Sequence, residues 1–209
     1  MAISYPLSTP TNIGIASITL VAENAVAISQ SPFTYAQQVV AHPGQRWGAS
    51  VSLPPMKRQD AEYWVAFLLS LKGQVGTFLL GDPNCVTAQG SASTTPGTPR
   101  VNGGSQVGDT LIIDGLPTNI TGYLLPGDYI QLGAASTATL HKVLTQADTD
   151  SLGSVALDIW PSIRTAPADN ATITVANTEG RFRLRENITQ WQINDISSYG
   201  ITFDCVEAI

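Results

Sequence analysis

Hydrophobic and polar positions alternate along most of this chain, and one stretch switches to a helical spacing. Ile13–Ala22 and Ala25–Ser31 read as strands around a turn-like Glu23-Asn24, the second setting Val26 and Ile28 against Ala25, Ala27 and Ser29. Phe33–Ala41 and Arg46–Leu53 read as a second strand pair, and the Pro-Gly of His42-Pro43-Gly44-Gln45 predicts a tight turn between them. Residues 13–53 are therefore expected to form a four-strand meander. Pro54-Pro55 ends it, because proline cannot donate to a ladder. Residues 57–72 then place Ala61, Trp64, Val65, Leu68 and Leu71 on one face at helical spacing. Asp60 and Glu62 lie near the start of this helix, with Lys72 as last-turn cation and Gly73 as terminating glycine.

A strand at 76–80 and a dense turn at Gly81-Asp82-Pro83-Asn84 follow. Residues 88–104, rich in Gly, Ser, Thr and Pro, then read as a long connector. Beyond them five short strands recur with turns between: Thr110–Ile113, Tyr129–Leu132, Ala138–Leu144, Val155–Ile159 and Ala171–Val175. Their spacing predicts a small barrel or sandwich. Two are entered through Gly108-Asp109 and Gly127-Asp128, with glycine taking a backbone shape closed to other residues and aspartate bonding the amides that follow. Arg181–Arg185, Thr189–Ile193 and Tyr199–Glu207 are three last strands, whose aromatic content matches the first eighty residues. The expected fold is mainly β: a split, β-sandwich-like body with one packed α-helix, residues 1–84 and 180–209, interrupted by an inserted small β-barrel module at 85–179.

Composition changes this picture in one respect. Charged residues are only 12% of the 209, about half of the usual ~25%, while hydrophobic residues stand at 43%. The shortage points to a surface rich in Ser, Thr, Asn and Gln and, more strongly, to one covered by other subunits, since interface cores are depleted of charge. Residues 85–179 carry eight acidic and three basic side chains, a net −5 of the total −6. The insert is thus expected to be a solvated lobe and the body the part engaged in contacts. An acidic chain lacks the basic footprint of a sequence-specific nucleic-acid binder. The longest apolar run, Val65 to Leu71, is broken by Ser70 and is too short to span a bilayer. The first residues lack the charged start and apolar stretch of a secretory signal, so folding in the cytoplasm is expected.

Enzyme motifs are missing: no GxSxG, Walker loop, HExxH or GxGxxG occurs, and the two cysteines, Cys85 and Cys205, have no zinc-ligand spacing. The expectation is a non-catalytic protein without cofactor or metal, although scattered carboxylates leave an unrecognised acid–base pair open. Asp148-Thr-Asp150-Ser-Leu-Gly153 begins like a calcium loop but has Ile159 at the twelfth position, where that motif needs Glu. His42 and His141 stand alone and read as structural. Trp160, beside Pro161, is a candidate sugar-stacking residue, with a packing role as the competing reading. Arg181, Arg183 and Arg185 share one strand face and are candidates for inter-subunit ion pairs, with DNA phosphates as the alternative.

Phe67-Leu-Leu-Ser-Leu-Lys-Gly73, followed by Gly76-Thr-Phe-Leu-Leu-Gly-Asp-Pro83, Leu124-Leu-Pro-Gly-Asp128 and a Val143…Asp148…Gly153 stretch, resembles the distal tail protein family of long-tailed bacteriophages. The resemblance runs in order over most of the chain and rests on turn and packing signatures. It implies a structural virion protein, assembled in the host cytoplasm, that forms a homohexameric ring joining the distal end of the tail tube to the tail-tip hub. The expected partners are further copies of itself, the tube protein and the hub protein, with DNA passing through the lumen unbound and no membrane insertion. The insert would resemble the oligonucleotide/oligosaccharide-binding (OB) barrel of some relatives. Larger members carry a galectin-like receptor-binding module for which this chain has no room. A carbohydrate-binding module for host attachment, using Trp160, is the alternative.

Overall fold

The computed structural model describes residues 3–195 and 197–209. Its first part comprises β1 (Leu7–Ser8), β2 (Ser17–Gln30), β3 (Gln37–Ser52), β4 (Met56–Lys57), α1 (Arg58–Ser70) and β5 (Phe78–Leu80). Six strands follow: β6 (Arg100–Val101), β7 (Gly108–Asp114), β8 (Tyr129–Leu132), β9 (Thr139–Val143), β10 (Val155–Ile163) and β11 (Ile173–Thr174). The chain ends with β12 (Gly180–Leu184), β13 (Trp191–Ile193) and β14 (Ser198–Glu207). The fold is mainly β, with one helix, a larger sheet and a nearly closed six-strand sheet.

The larger sheet runs β1-β5-β12-β14-β3-β2, with β13 and β4 added along β14. Its centre is built from the last strands: β12 pairs with β5 (Phe182↔Phe78), and β14 pairs with both β12 (Cys205↔Leu184) and β3 (Cys205↔Ala49). The late strands thus lie between the early ones. α1 buries Ala61, Trp64, Val65, Phe67 and Leu68 against this sheet, where Trp64 meets Phe203 at 6.2 Å and Phe67 meets Phe78 edge-on at 5.5 Å. The helix stops at Ser70, so Lys72 lies beyond its last turn and is itself the first left-handed residue (φ +52°), ahead of Gly73 (φ +67°).

The expected meander is instead a single hairpin. β2 and β3 pair from Ser17↔Ser52 to Gln30↔Gln37, so four apparent strands form one two-strand ladder. His42-Pro43-Gly44 does not turn the chain. Asn24 pairs with Gln45 and Val26 with Ala41, leaving those three residues opposite Ala25 as a bulge. Pro43, which has no N–H to give, is accommodated because it stands outside the ladder. The actual turn belongs to Ser31, whose carbonyl accepts from Tyr35 N–H at 2.9 Å and whose N–H donates to Ala36 O at 3.0 Å.

The six-strand sheet has the order β11-β8-β9-β10-β7-β6, and a bridge between Arg100 and Thr172 brings its ends together. Its interior holds Val101, Leu111, Ile113, Tyr123, Ile130, Leu157 and Ile159. The Gly/Ser/Thr-rich connector is pinned rather than free: Ala88, Ala92 and Val101 are buried, and Tyr123 Oη donates to Pro96 O at 2.7 Å. Gly108 and Gly127 do take positive φ (+92° and +99°). The aspartates beside them act differently from expectation. Asp128 accepts from Leu125 N–H (2.8 Å), which precedes it, and from the distant Gln89 N–H (2.7 Å), while Asp109 receives Ser162 Oγ–H.

A candidate assembly surface

Between Glu23 and Arg46 there is no Asp, Glu, Lys or Arg. From Asn24 to Gly44 every residue except Ser31 is exposed. This part of the hairpin extends about 20 Å past the Glu23–Arg46 rung, at roughly 3.3 Å per residue. On one face Val26 lies beside Ala41 and Ile28 beside Val39; on the other Ala27 lies beside Val40. The tip carries Phe33, 92% exposed, and Tyr35, 74% exposed. β14 pairs with β3 only from Gly48 to Ser52, and β2 is the terminal strand, so both edges of the projecting arm keep unpaired N–H and C=O groups. An isolated two-strand ribbon is marginal in water, and an exposed apolar edge invites another strand. Burying each of Val26, Ile28, Phe33 and Val39 would return about 1.5–3 kcal/mol before association costs.

The arm is anchored at its base by charge. Glu23 accepts from Arg46 Nε at 2.6 Å and from Arg185 Nη2, and the Arg46 hydrogen bond is the main cause holding its carboxyl below the usual carboxylate range. On the other side the six-strand module buttresses β3. Trp47 Nε1 donates to Leu140 O at 2.9 Å, and its ring meets the Trp160 ring edge-on at 4.5 Å. Gln45 Oε1 accepts from Ser162 N–H at 2.7 Å. The buried Glu207 accepts from Trp47 N–H (3.1 Å) and from Arg164 Nη2 (2.8 Å). The base is thus rigidly held while the tip is left uncovered.

The residues singled out from sequence sit mostly in this seam. Arg181 donates Nε and Nη2 to Ala208 O (3.1 and 2.9 Å) and Nη1 to Ser136 O, and Arg185 is taken by Glu23. Two of the three arginines expected at subunit contacts are therefore spent inside the chain; only Arg183, half-buried, has no polar partner among the described residues. Trp160 gives its indole N–H to Asn24 Oδ1 at 2.9 Å. Its packing edge-on against Trp47 makes it a joint between module and body.

His141 is buried beneath the same seam, its Nδ1 2.6 Å from Pro161 O and its Nε2 2.9 Å from Thr139 Oγ1, and burial lowers its pKa to about 4. His42 lies in the exposed bulge, not in a turn. A cleft of about 430 Å³ borders His141, Arg164, Arg181 and Glu207, but these side chains already bond to protein groups, which makes it a seam between units.

The carboxylates weighed for chemistry also have protein partners. Asp148 accepts from Gly122 N–H (2.7 Å), Asp150 from Leu152 and Ser154 N–H (both 2.8 Å), and Asp82 from Asn84 N–H (2.9 Å). Among the described residues no three His, Cys, Asp or Glu side chains converge as metal ligands. Burial pushes the Cys205 thiol up to about 12 and also raises that of Cys85. No helix of the described residues is long and apolar enough to cross a membrane. No protein-family model matches this chain, and no curated protein matches it.

Proposed function

We propose that this chain is a non-catalytic structural subunit of a phage tail, forming a ring at the distal end of the tail tube and joining the tube to the tail-tip hub. The observation that carries the reading is the arm: an uncharged, exposed, two-strand projection with aromatic residues at its tip and both edges open, held on a rigid base. Such an element invites another surface to cover it. Copies of the chain supply that surface in a closed ring, and the tube and hub proteins cover the ring's two faces. A body that carries only −1 of the net −6 suits a lumen through which DNA passes without binding. The family resemblance of residues 67–83 and 124–153 supports the same assignment. Against the carbohydrate-binding alternative, Trp160 has a packing and hydrogen-bonding role of its own, engaged by Trp47 and Asn24.

The test is mass measurement in solution together with particle imaging. The purified chain gives a ring-sized particle, and a variant with residues 25–41 replaced by a short Gly-Asn turn gives a folded monomer. Association of that variant equal to the parent's would defeat the reading.

A further inference from the structure

We infer that strand β10 of the module clamps the arm at its root and so sets the direction in which the arm points, with the bulge at residues 42–44 as the hinge that the clamp restrains. The inference concerns a single chain and stands whether or not the ring reading does.

The last regular rung of the hairpin before the bulge is Asn24↔Gln45, and both of its residues are held from the module. β10 and the residue after it turn alternate side chains towards this rung, Trp160, Ser162 and Arg164, while Leu157, Ile159 and Ile163 belong to the module's own core. Trp160 Nε1 donates to Asn24 Oδ1 at 2.9 Å, on one strand of the rung. On the other, Ser162 N–H donates to Gln45 Oε1 at 2.7 Å and Arg164 Nη1 donates to Gln45 O at 3.2 Å. Arg164 is itself fixed by the buried Glu207 at 2.8 Å. One strand of the module therefore grips both strands of the hairpin at a single rung, just where the arm leaves the body.

Immediately past that rung the hairpin is at its weakest. Ala25 alone faces His42, Pro43 and Gly44, and neither Ala25 nor Gly44 has a side chain long enough to pack across the gap. Such a bulge interrupts the ladder and bends the strand that carries it. A hollow of about 280 Å³, bordered by Ala25, Gly44, Arg46 and Ile209, leaves room for movement on one side. Beyond the bulge every residue to the tip except Ser31 is exposed, so the ladder alone carries the arm. A swing of about 20° at the hinge displaces the tip of an arm of about 20 Å by about 7 Å, the length of two residues of strand. Gripping the rung below the hinge is what gives Phe33 and Tyr35 a defined place, and Trp160, Ser162 and Arg164 are positioning residues for them.

Spin labels at Ser29→Cys on the arm and Gln59→Cys on α1, in a Cys85→Ser background, test the clamp. Labelled chains are diluted into an excess of unlabelled ones, so that only distances within one chain are read. The parent should give one narrow distance distribution. Asn24→Ala combined with Gln45→Ala removes the side-chain acceptors without touching the module, and should broaden the distribution about twofold, with the melting temperature close to the parent's. Trp160→Phe keeps a ring against Trp47 and removes the indole N–H; it should broaden the distribution part of the way, and it decides the matter should the double variant misfold. Replacing residues 42–44 of the double variant by a single threonine completes a regular ladder opposite Ala25 and should restore the narrow distribution. Clamp variants no broader than the parent overturn the clamp, and a broad distribution that the regular ladder fails to narrow overturns the hinge.

Discussion

Two buried tryptophans show how differently one residue type is used. Trp47 spends its indole N–H on Leu140 O and takes part in joining module to body, whereas Trp64 Nε1 is buried with no hydrogen-bond partner among the described residues. Trp47→Phe leaves a carbonyl unpaired as well as a cavity and should cost about 3 kcal/mol, while Trp64→Phe loses volume only and should cost about 1–2 kcal/mol. Urea unfolding of the two variants gives the comparison. His141 provides a pH signature. Its folded pKa of about 4 lies below the ordinary 6.5, because burial, together with the nearby Arg164 charge, disfavours the imidazolium, although the Pro161 carbonyl favours it. The unfolded chain therefore binds the proton first, and stability is fully present above pH 6.5 and falls as pH drops from 6.5 towards 4. The loss amounts to about 3 kcal/mol. Unfolding measured across that window should show the slope, and His141→Gln should flatten it.

At the level of elements, the arm should be separable from the fold that carries it. Phe33→Ala should leave the unfolding midpoint unchanged within about 0.5 kcal/mol, since the side chain is 92% exposed, yet weaken self-association at least tenfold, as read by sedimentation. The same hairpin marks the limit of what was legible in the sequence. Helix α1 was readable because Ala61, Trp64, Val65, Leu68 and Leu71 repeat at a period that no strand shares. So were β7 to β10, each bounded by turn residues. The arm was not, because alternation looks identical in one long ladder and in two short ones. The His-Pro-Gly triplet that marks a turn elsewhere is here expelled as a bulge. The seam was hidden for another reason: Arg181 bonds to backbone carbonyls of Ser136 and Ala208, and any residue type supplies those.

For the molecule as a whole, the question is how independent the two sheets are. The strands of the six-strand sheet all lie between Arg100 and Thr174, and the chain enters and leaves the module side by side, with Asn177 N–H donating to Val86 O at 2.7 Å. A short linker across 86–178 therefore closes without distortion. The module nevertheless covers Trp47 and satisfies Gln45 and Glu207. The excised body should fold, with β12 and β14 still between β5 and β3, but melt lower than the parent by roughly 2–4 kcal/mol of lost packing and pairing. Circular dichroism with a denaturant series tests this. Failure of the excised body to fold at any temperature would mean that the insert is part of one inseparable core.

The absence of charge from the arm also sets how assembly should answer to its surroundings. A contact made by Val26, Ile28, Phe33 and Tyr35 has no counterions to shed, so raising sodium chloride from 50 to 500 mM should leave its strength nearly constant. Sulfate should tighten it and chilling should loosen it, because the driving force is the release of water from apolar surface. Subunits kept cold and dilute would stay apart, and warming would bring them together.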